Sequence, residues 1–134
     1  MQSVAFQGEN GAFSELAAVE YFHGRIRPSA QQSFEGVFKA VENGACAYGV
    51  VPIENSLAGS IHQNYDLLLK HAVWICGEIK LRIRHCLIAN PGTRLKDVRQ
   101  IYSHPAALAQ CQHFLKKLRT TEVQAVLQGK LILV

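Results

Sequence analysis

The sequence has no long apolar run, although 49% of its 134 residues are hydrophobic. A membrane span needs about 18 or more consecutive apolar residues, and here they come in short groups, so a membrane protein is excluded. Internal repeats and low complexity are also missing. Ten Gly and four Pro are ordinary punctuation. The four cysteines, Cys46, Cys76, Cys86 and Cys111, show no Cys-x-x-Cys spacing, and none of the six histidines completes a zinc-finger or His-Glu-x-x-His pattern. That argues against a metal site and for reduced, mostly buried thiols in a cytosolic protein. The start, Met1-Gln2-Ser3-Val4-Ala5-Phe6-Gln7-Gly8, has neither a basic nor an apolar leader region, so no signal peptide is expected. Charge is modest, at 18% of residues and +4 net. A nucleic-acid binder shows basic clusters interleaved with aromatics, and this chain does not. Its densest positive stretch, Lys80, Arg82 and Arg84, alternates with Ile79, Leu81 and Ile83. That pattern suits a solvated strand face, or a positive field for an anionic small molecule.

What is present reads as α/β. A chain this long buries roughly 65–70% of its unfolded surface, enough for one domain or two small lobes. Ser3 to Gln7 predicts a strand running into Gly8-Glu9-Asn10-Gly11. Phe13, Leu16, Ala17, Glu20 and Tyr21 then follow helical spacing, with Gly24 as the stop. Ser33 is the expected cap of a second helix, with Phe34, Val37, Phe38 and Val41 on one face and Gly44 at its end. Cys46 to Val51 reads as a buried strand ended by Pro52. The polar loop Glu54-Asn55-Ser56 leads through Gly59-Ser60 to a third helix, whose apolar face is Ile61, Tyr65, Leu68 and Leu69. Val73 to Ala89 reads as mostly strand, and Thr93 as the cap of a short helical turn. Gln100 to Tyr102 is a short strand, Pro105 opens a helix carrying Leu108, Cys111, Leu115 and Leu118, and Glu122 to Val126 is a last strand. The expected order is β-α-α-β-α, then β-β-α-β, with mostly parallel sheets.

Ligands of such sheets bind at the carboxyl ends of strands, beside helix N-termini. Three corners qualify. In Gly8-Glu9-Asn10-Gly11-Ala12-Phe13-Ser14, two glycines let backbone N–H groups approach a ligand. In Pro52-Ile53-Glu54-Asn55-Ser56-Leu57-Ala58-Gly59-Ser60, a carboxylate, an amide and hydroxyls crowd together, more polar groups than one helix cap needs. In Ser103-His104-Pro105 the two polar residues close a strand, and Gln110 lies on the following helix, near the edge of its core face. A Cys111–His104 nucleophile pair is not expected, because Cys111 points to the core.

With these residues the chain resembles the prephenate dehydratase catalytic domain. The likeness rests on Gln7 to Ser14, on Gly49 to Ile61 with its Pro-Ile-Glu-Asn-Ser centre, and on Tyr102 to Cys111. It covers about residues 2 to 118. The resemblance implies a two-lobed, periplasmic-binding-protein-like (type II) α/β fold, with a first lobe over residues 1–78 and a second, incomplete lobe over 79–134. It implies conversion of prephenate to phenylpyruvate, water and carbon dioxide in phenylalanine biosynthesis, with no metal and no organic cofactor. Glu54, Asn55 and Gln110 match family residues tied to activity. Gly11, Ala12, Ser56, Gly59, Ser60, Ser103 and His104 would line the cleft. Prephenate carries two carboxylates, which N–H groups and cations can hold, and a ring hydroxyl, which needs a hydrogen-bond donor as it leaves. An arogenate dehydratase and a non-catalytic small-anion binding module are the alternatives. The expected partner is the small substrate, with neither nucleic acid nor membrane, and a homodimer is compatible with the family.

The sequence also departs from the family. It has no Thr-Arg-Phe motif, whose Thr is the family's favoured donor to the leaving hydroxyl, and the likeness fades after Leu118 toward the apolar ending Leu131-Ile132-Leu133-Val134. The phenylalanine-binding ACT domain that often follows in the family is expected to be absent. The expectation is a C-terminally truncated or frame-disrupted form, weakly active or inactive by itself.

Overall fold

The computed structural model describes residues 1–55, 59–118 and 121–125. The chain divides into two compact units, Met1–Ile83 and Arg84–Val134, where the sequence reading divides it after residue 78.

The first unit is built on β1 (Gln2–Gln7), which carries the consecutive residues Val4, Ala5 and Phe6, all fully buried. A strand turns alternate residues to opposite faces, so such a run needs cover on both sides. Val4 packs with Ala18 of α1 (Phe13–Tyr21), with Phe22 and with Ile26. Ala5 packs with Val37 and Ala40 of α2 (Phe34–Glu42), and with Cys46. Thus α1 covers one face and α2 the other. β2 (Ile26–Gln31) and β3 (Tyr48–Val50) flank β1 in the order β2-β1-β3, both parallel to it. The small antiparallel pair β4 (Glu54–Asn55) and β5 (Gly59–Ser60) follows, then α3 (His62–Lys70). The α/β class with parallel sheets is as the sequence predicts.

Several local expectations are corrected. The order omits β2, which lies between α1 and α2. Its Ile26-Arg27-Pro28-Ser29-Ala30-Gln31 has one buried residue and a proline. Proline is tolerated because, among the described residues, β2 is an edge strand paired with β1 alone. On α1 the buried residues are Ala17 and Ala18, while Phe13, Leu16 and Tyr21 are exposed. Small side chains let this helix lie close on the sheet. On α3 the buried face is Asn64 and Leu67, with Leu69 88% exposed and Tyr65 exposed as well. Counting apolar residues alone missed a face that runs through polar Asn64 and on to buried His71.

The helix ends follow the sequence chemistry. Ser33 Oγ accepts from Gly36 N–H at 3.1 Å, capping α2. After α1, Gly24 N–H donates to Val19 carbonyl at 2.8 Å and His23 N–H to Glu20 carbonyl at 3.3 Å, with φ of 52° at His23 and 74° at Gly24. This is a Schellman ending. Two polar ties hold α3 to α2. Glu35 pairs with Lys39 at 3.2 Å and with Lys70 at 3.1 Å. Glu42 accepts from His71 Nδ1 and from Ala72 N–H, each at 2.8 Å.

In the second unit β6 (Gln100–Ser103) runs parallel to β7 (Glu122–Ala125), and Ile101 is buried. The predicted helix from Pro105 divides at Cys111 into α4 (Pro105–Gln110) and α5 (Gln112–Leu115). Cys111 N–H is shared between the carbonyls of Ala107 at 3.0 Å and Leu108 at 3.2 Å, and the helix tightens there. Thr93 caps nothing. The short 3-10 turn Leu95–Asp97 starts at Arg94, whose guanidinium clasps Asp97 at 2.7 Å.

Residues 73–90 form neither helix nor strand, against the strand expected over Val73 to Ala89. Ile79, Leu81 and Ile83 are half-buried while Lys80, Arg82 and Arg84 are exposed. The period of two persists, but no described element pairs with this segment, and a strand exists only through its neighbours. The thiol expectation fails in part for the same reason. Cys46 is buried and Cys111 half-buried, but Cys76 and Cys86 lie in this segment and are exposed. Among the described residues, no helix is long and apolar enough to cross a membrane. Val126 and the apolar ending 131–134 lie outside the described residues.

Candidate active site

The sheet order makes one place special. The chain leaves β1 through α1 to β2 on one side, and returns through α2 to β3 on the other. Between β1 and β3 the direction of winding reverses, and the crevice at the carboxyl ends of such a strand pair is where open α/β sheets bind ligands. Phe6 of β1 pairs with Val50 of β3. The loop from Gly8 to Ala12 and the stretch from Val51 to Asn55 therefore leave the sheet side by side. The first two candidate corners are brought to this one edge.

The first corner is a tight turn. Gly8 and Gly11 have φ of 117° and 90°, the left-handed side that favours glycine. A Cβ on Gly8 would also stand 3.2 Å from Ala12 Cβ. Gly8 N–H donates to Gln31 carbonyl at 3.0 Å, which ties the turn to the end of β2. Ala12 is the N-cap of α1 and has no side-chain cap. Instead Glu15 reaches back from the first turn and accepts from Gly11 N–H at 2.6 Å. The N–H that the sequence reading offers to a ligand is thus held by an internal carboxylate.

The second corner, expected as a loop, is a hairpin. Glu54 stands opposite Ser60, and Asn55 opposite Gly59. Ser56 lies outside the described residues. The base is closed twice: Ile61 N–H donates to Ile53 carbonyl at 2.9 Å, and Asn64 Nδ2 to Pro52 carbonyl at 2.7 Å. Asn64 is fully buried, so the hairpin is anchored from inside the unit, while the Glu54 and Ser60 it displays are exposed.

The third corner belongs to the second unit. Ser103 ends β6 and is half-buried. His104 is the N-cap of α4, its Nδ1 accepting from Ala106 N–H at 3.2 Å, with Pro105 in the first turn. An accepting Nδ1 leaves the ring hydrogen on Nε2. Gln110, the last residue of α4, is half-buried, and its Oε1 lies 2.8 Å from Nε2 of His85. Sequence reasoning did not single out His85. It directly follows the alternating basic segment, and no helical or strand spacing links it to a residue 25 positions away. Gly11, Ala12, Glu54, Asn55, Gly59 and Ser60 thus belong to one unit, and Ser103, His104 and Gln110 to the other. Among the described residues no three His, Cys, Asp or Glu side chains gather as metal ligands would.

The prephenate dehydratase family model matches residues 4–128. The chain belongs to the prephenate dehydratase family. It is 51% identical, over 86% of its length, to arogenate dehydratase/prephenate dehydratase 2 of Arabidopsis thaliana, and likewise 51% identical over 86% to arogenate dehydratase 2 of Petunia hybrida. It covers 30% and 29% of those two proteins, so it spans about a third of the curated relatives it matches. Among solved structures, the prephenate dehydratase of Staphylococcus aureus superposes with a TM-score of 0.82 at 30% identity, covering 96% of this chain and 50% of that one. A protein described as a quorum quenching acylase, GqqA, superposes at 0.80 and 32% identity, over 95% and 46%. The fold is that of the family, two-lobed and periplasmic-binding-protein-like of type II.

Proposed function

We propose that this chain carries the substrate-binding corners of a dehydratase of phenylalanine biosynthesis, which takes prephenate to phenylpyruvate, water and carbon dioxide. The observation that carries the reading is the juxtaposition of the Gly8–Ala12 turn and the Glu54–Ser60 hairpin at the β1/β3 switch point, in a chain of this family. Glu54, Asn55 and Gln110 are assigned to the reaction. Gly11, Ala12, Ser56, Gly59, Ser60, Ser103 and His104 are assigned to substrate contact. Prephenate is a compact dianion with a departing hydroxyl. Amide and hydroxyl donors suit its carboxylates, and a positioned donor suits the hydroxyl. Because the sequence has no Thr-Arg-Phe donor, we expect no phenylpyruvate above the spontaneous rate from this chain alone.

The names of the Arabidopsis and Petunia relatives favour a second reading, in which the ligand is arogenate. The two differ by an amino group on the side chain. Calorimetric titration with each compound separates them. Tighter binding of prephenate supports the main reading and tighter binding of arogenate the second; heat from neither contradicts both. A cytosolic location is proposed on the four free thiols, and recovery of the protein from a plastid fraction would contradict it. A homodimer is proposed from family likeness alone, for sedimentation to test.

A further inference from the structure

We infer that His85 is a positioning residue for Gln110, and that it presents the Gln110 amide as a hydrogen-bond donor to the ligand. This deepens the dehydratase reading and rests on it for the ligand's identity. The geometry is specific. Gln110 closes α4, where the helix divides at Cys111, so its side chain stands at a helix end. A glutamine amide has one accepting end and one donating end, and rotation about the terminal bond interchanges them at little cost. An unheld Gln110 would present either. Here Oε1 faces His85 Nε2 at 2.8 Å. For that contact to be a hydrogen bond, the imidazole carries its hydrogen on Nε2, and the amide NH2 is turned the other way. A carboxylate or a departing hydroxyl needs donors, not a carbonyl oxygen. His85 therefore selects the useful half of the amide. Misplacing a group by about 1 Å can cost as much as about 10²-fold in a reaction, so fixing a side chain on a helix end has consequences beyond stability.

His85 directly follows the alternating segment that carries Lys80, Arg82 and Arg84, whose pattern suits a strand face or a positive field. The hydrogen bond gives that segment a second role: its last part orders a residue of α4.

Two measurements on the chain as it stands test this. The first needs no ligand. A long-range 1H–15N correlation spectrum at pH 8.5, where an imidazole is neutral, reports which ring nitrogen bears hydrogen. The Nε2–H tautomer is expected at His85, reverting toward a mixture in Gln110→Leu. An Nδ1–H tautomer at His85, or one indifferent to Gln110→Leu, overturns the proposal. The second is a double-mutant cycle on prephenate affinity. His85→Leu and Gln110→Leu should each weaken binding by about 10-fold, and the double variant by little more than either. His85→Gln, whose amide N–H can still reach Oε1, should recover part of the loss. Losses that multiply, with no recovery in His85→Gln, would reduce His85 to an independent contact and overturn the proposal. If the unaltered chain binds no prephenate, the substrate reading fails, and the tautomer measurement still decides the role of His85.

Discussion

Glu42 shows how much a single side chain does in this fold. Its carboxylate is held below the usual range, first by Ala72 N–H and then by His71. Glu35 is lowered too, by hydrogen bonds from Lys70 and Lys39. A carboxyl with a lowered folded pKa binds fewer protons folded than unfolded, so stability rises with pH. The contribution is complete above the ordinary carboxylate range and disappears as the pH falls through the lowered folded value. The urea midpoint should fall on acidification from pH 6 to 3, and less steeply in Glu42→Gln; equal slopes would show that Glu42 contributes nothing to this pH dependence. Phe6, fully buried in β1, should cost about 3–5 kcal/mol on replacement by Ala, read from the same denaturation curves. At this scale the sequence was legible where a residue type carries its own geometry, as at Ser33 or Gly24. It was not legible where meaning comes from a distant partner. No local spacing marks Asn64 or His85, and their hydrogen bonds run to Pro52 and Gln110.

Elements were read well where one face is apolar and the other polar. α2 is the clearest case: of the expected face, Val37 and Phe38 are buried and Phe34 and Val41 half-buried, with Ala40 buried in addition. α1 and α3 lie where the spacing predicts, but their buried faces are Ala17 with Ala18 and Asn64 with Leu67, not the large apolar residues. β2 was missed because an edge strand tolerates proline and polar residues that a central strand does not. Close approach of α2 to β3 gives a prediction at this scale. A Cβ on Gly49 would lie 2.8 Å from Val37 Cγ1 and 3.1 Å from Val41 Cγ2. Both belong to β-branched side chains with little freedom to yield. Gly49→Ala should destabilise the protein by about 1–3 kcal/mol, and an unchanged thermal midpoint would mean that α2 sits farther from the sheet. Removing the Ser33 cap with Ser33→Ala should cost about 1 kcal/mol, measured in the same way.

At the scale of the molecule, the α/β class and the parallel pairing were legible from the alternation of short apolar strands with helical spacing. The strand over Val73 to Ala89 was not realised, since period two is necessary for a ladder but supplies no partner. Amides of residues 74–84 should therefore exchange with solvent far faster than those of Val4, Ala5 and Phe6; strong protection there would reveal pairing. Of the three corners, the two in the first unit meet at the β1/β3 edge through topology alone, which no local motif could announce. The most direct measurement is a titration of prephenate into 15N-labelled chain. Saturable amide shifts are expected, centred on Gly8, Gly11, Glu54 and Ser60. Shifts confined to Lys80, Arg82 and Arg84, or none, would contradict it.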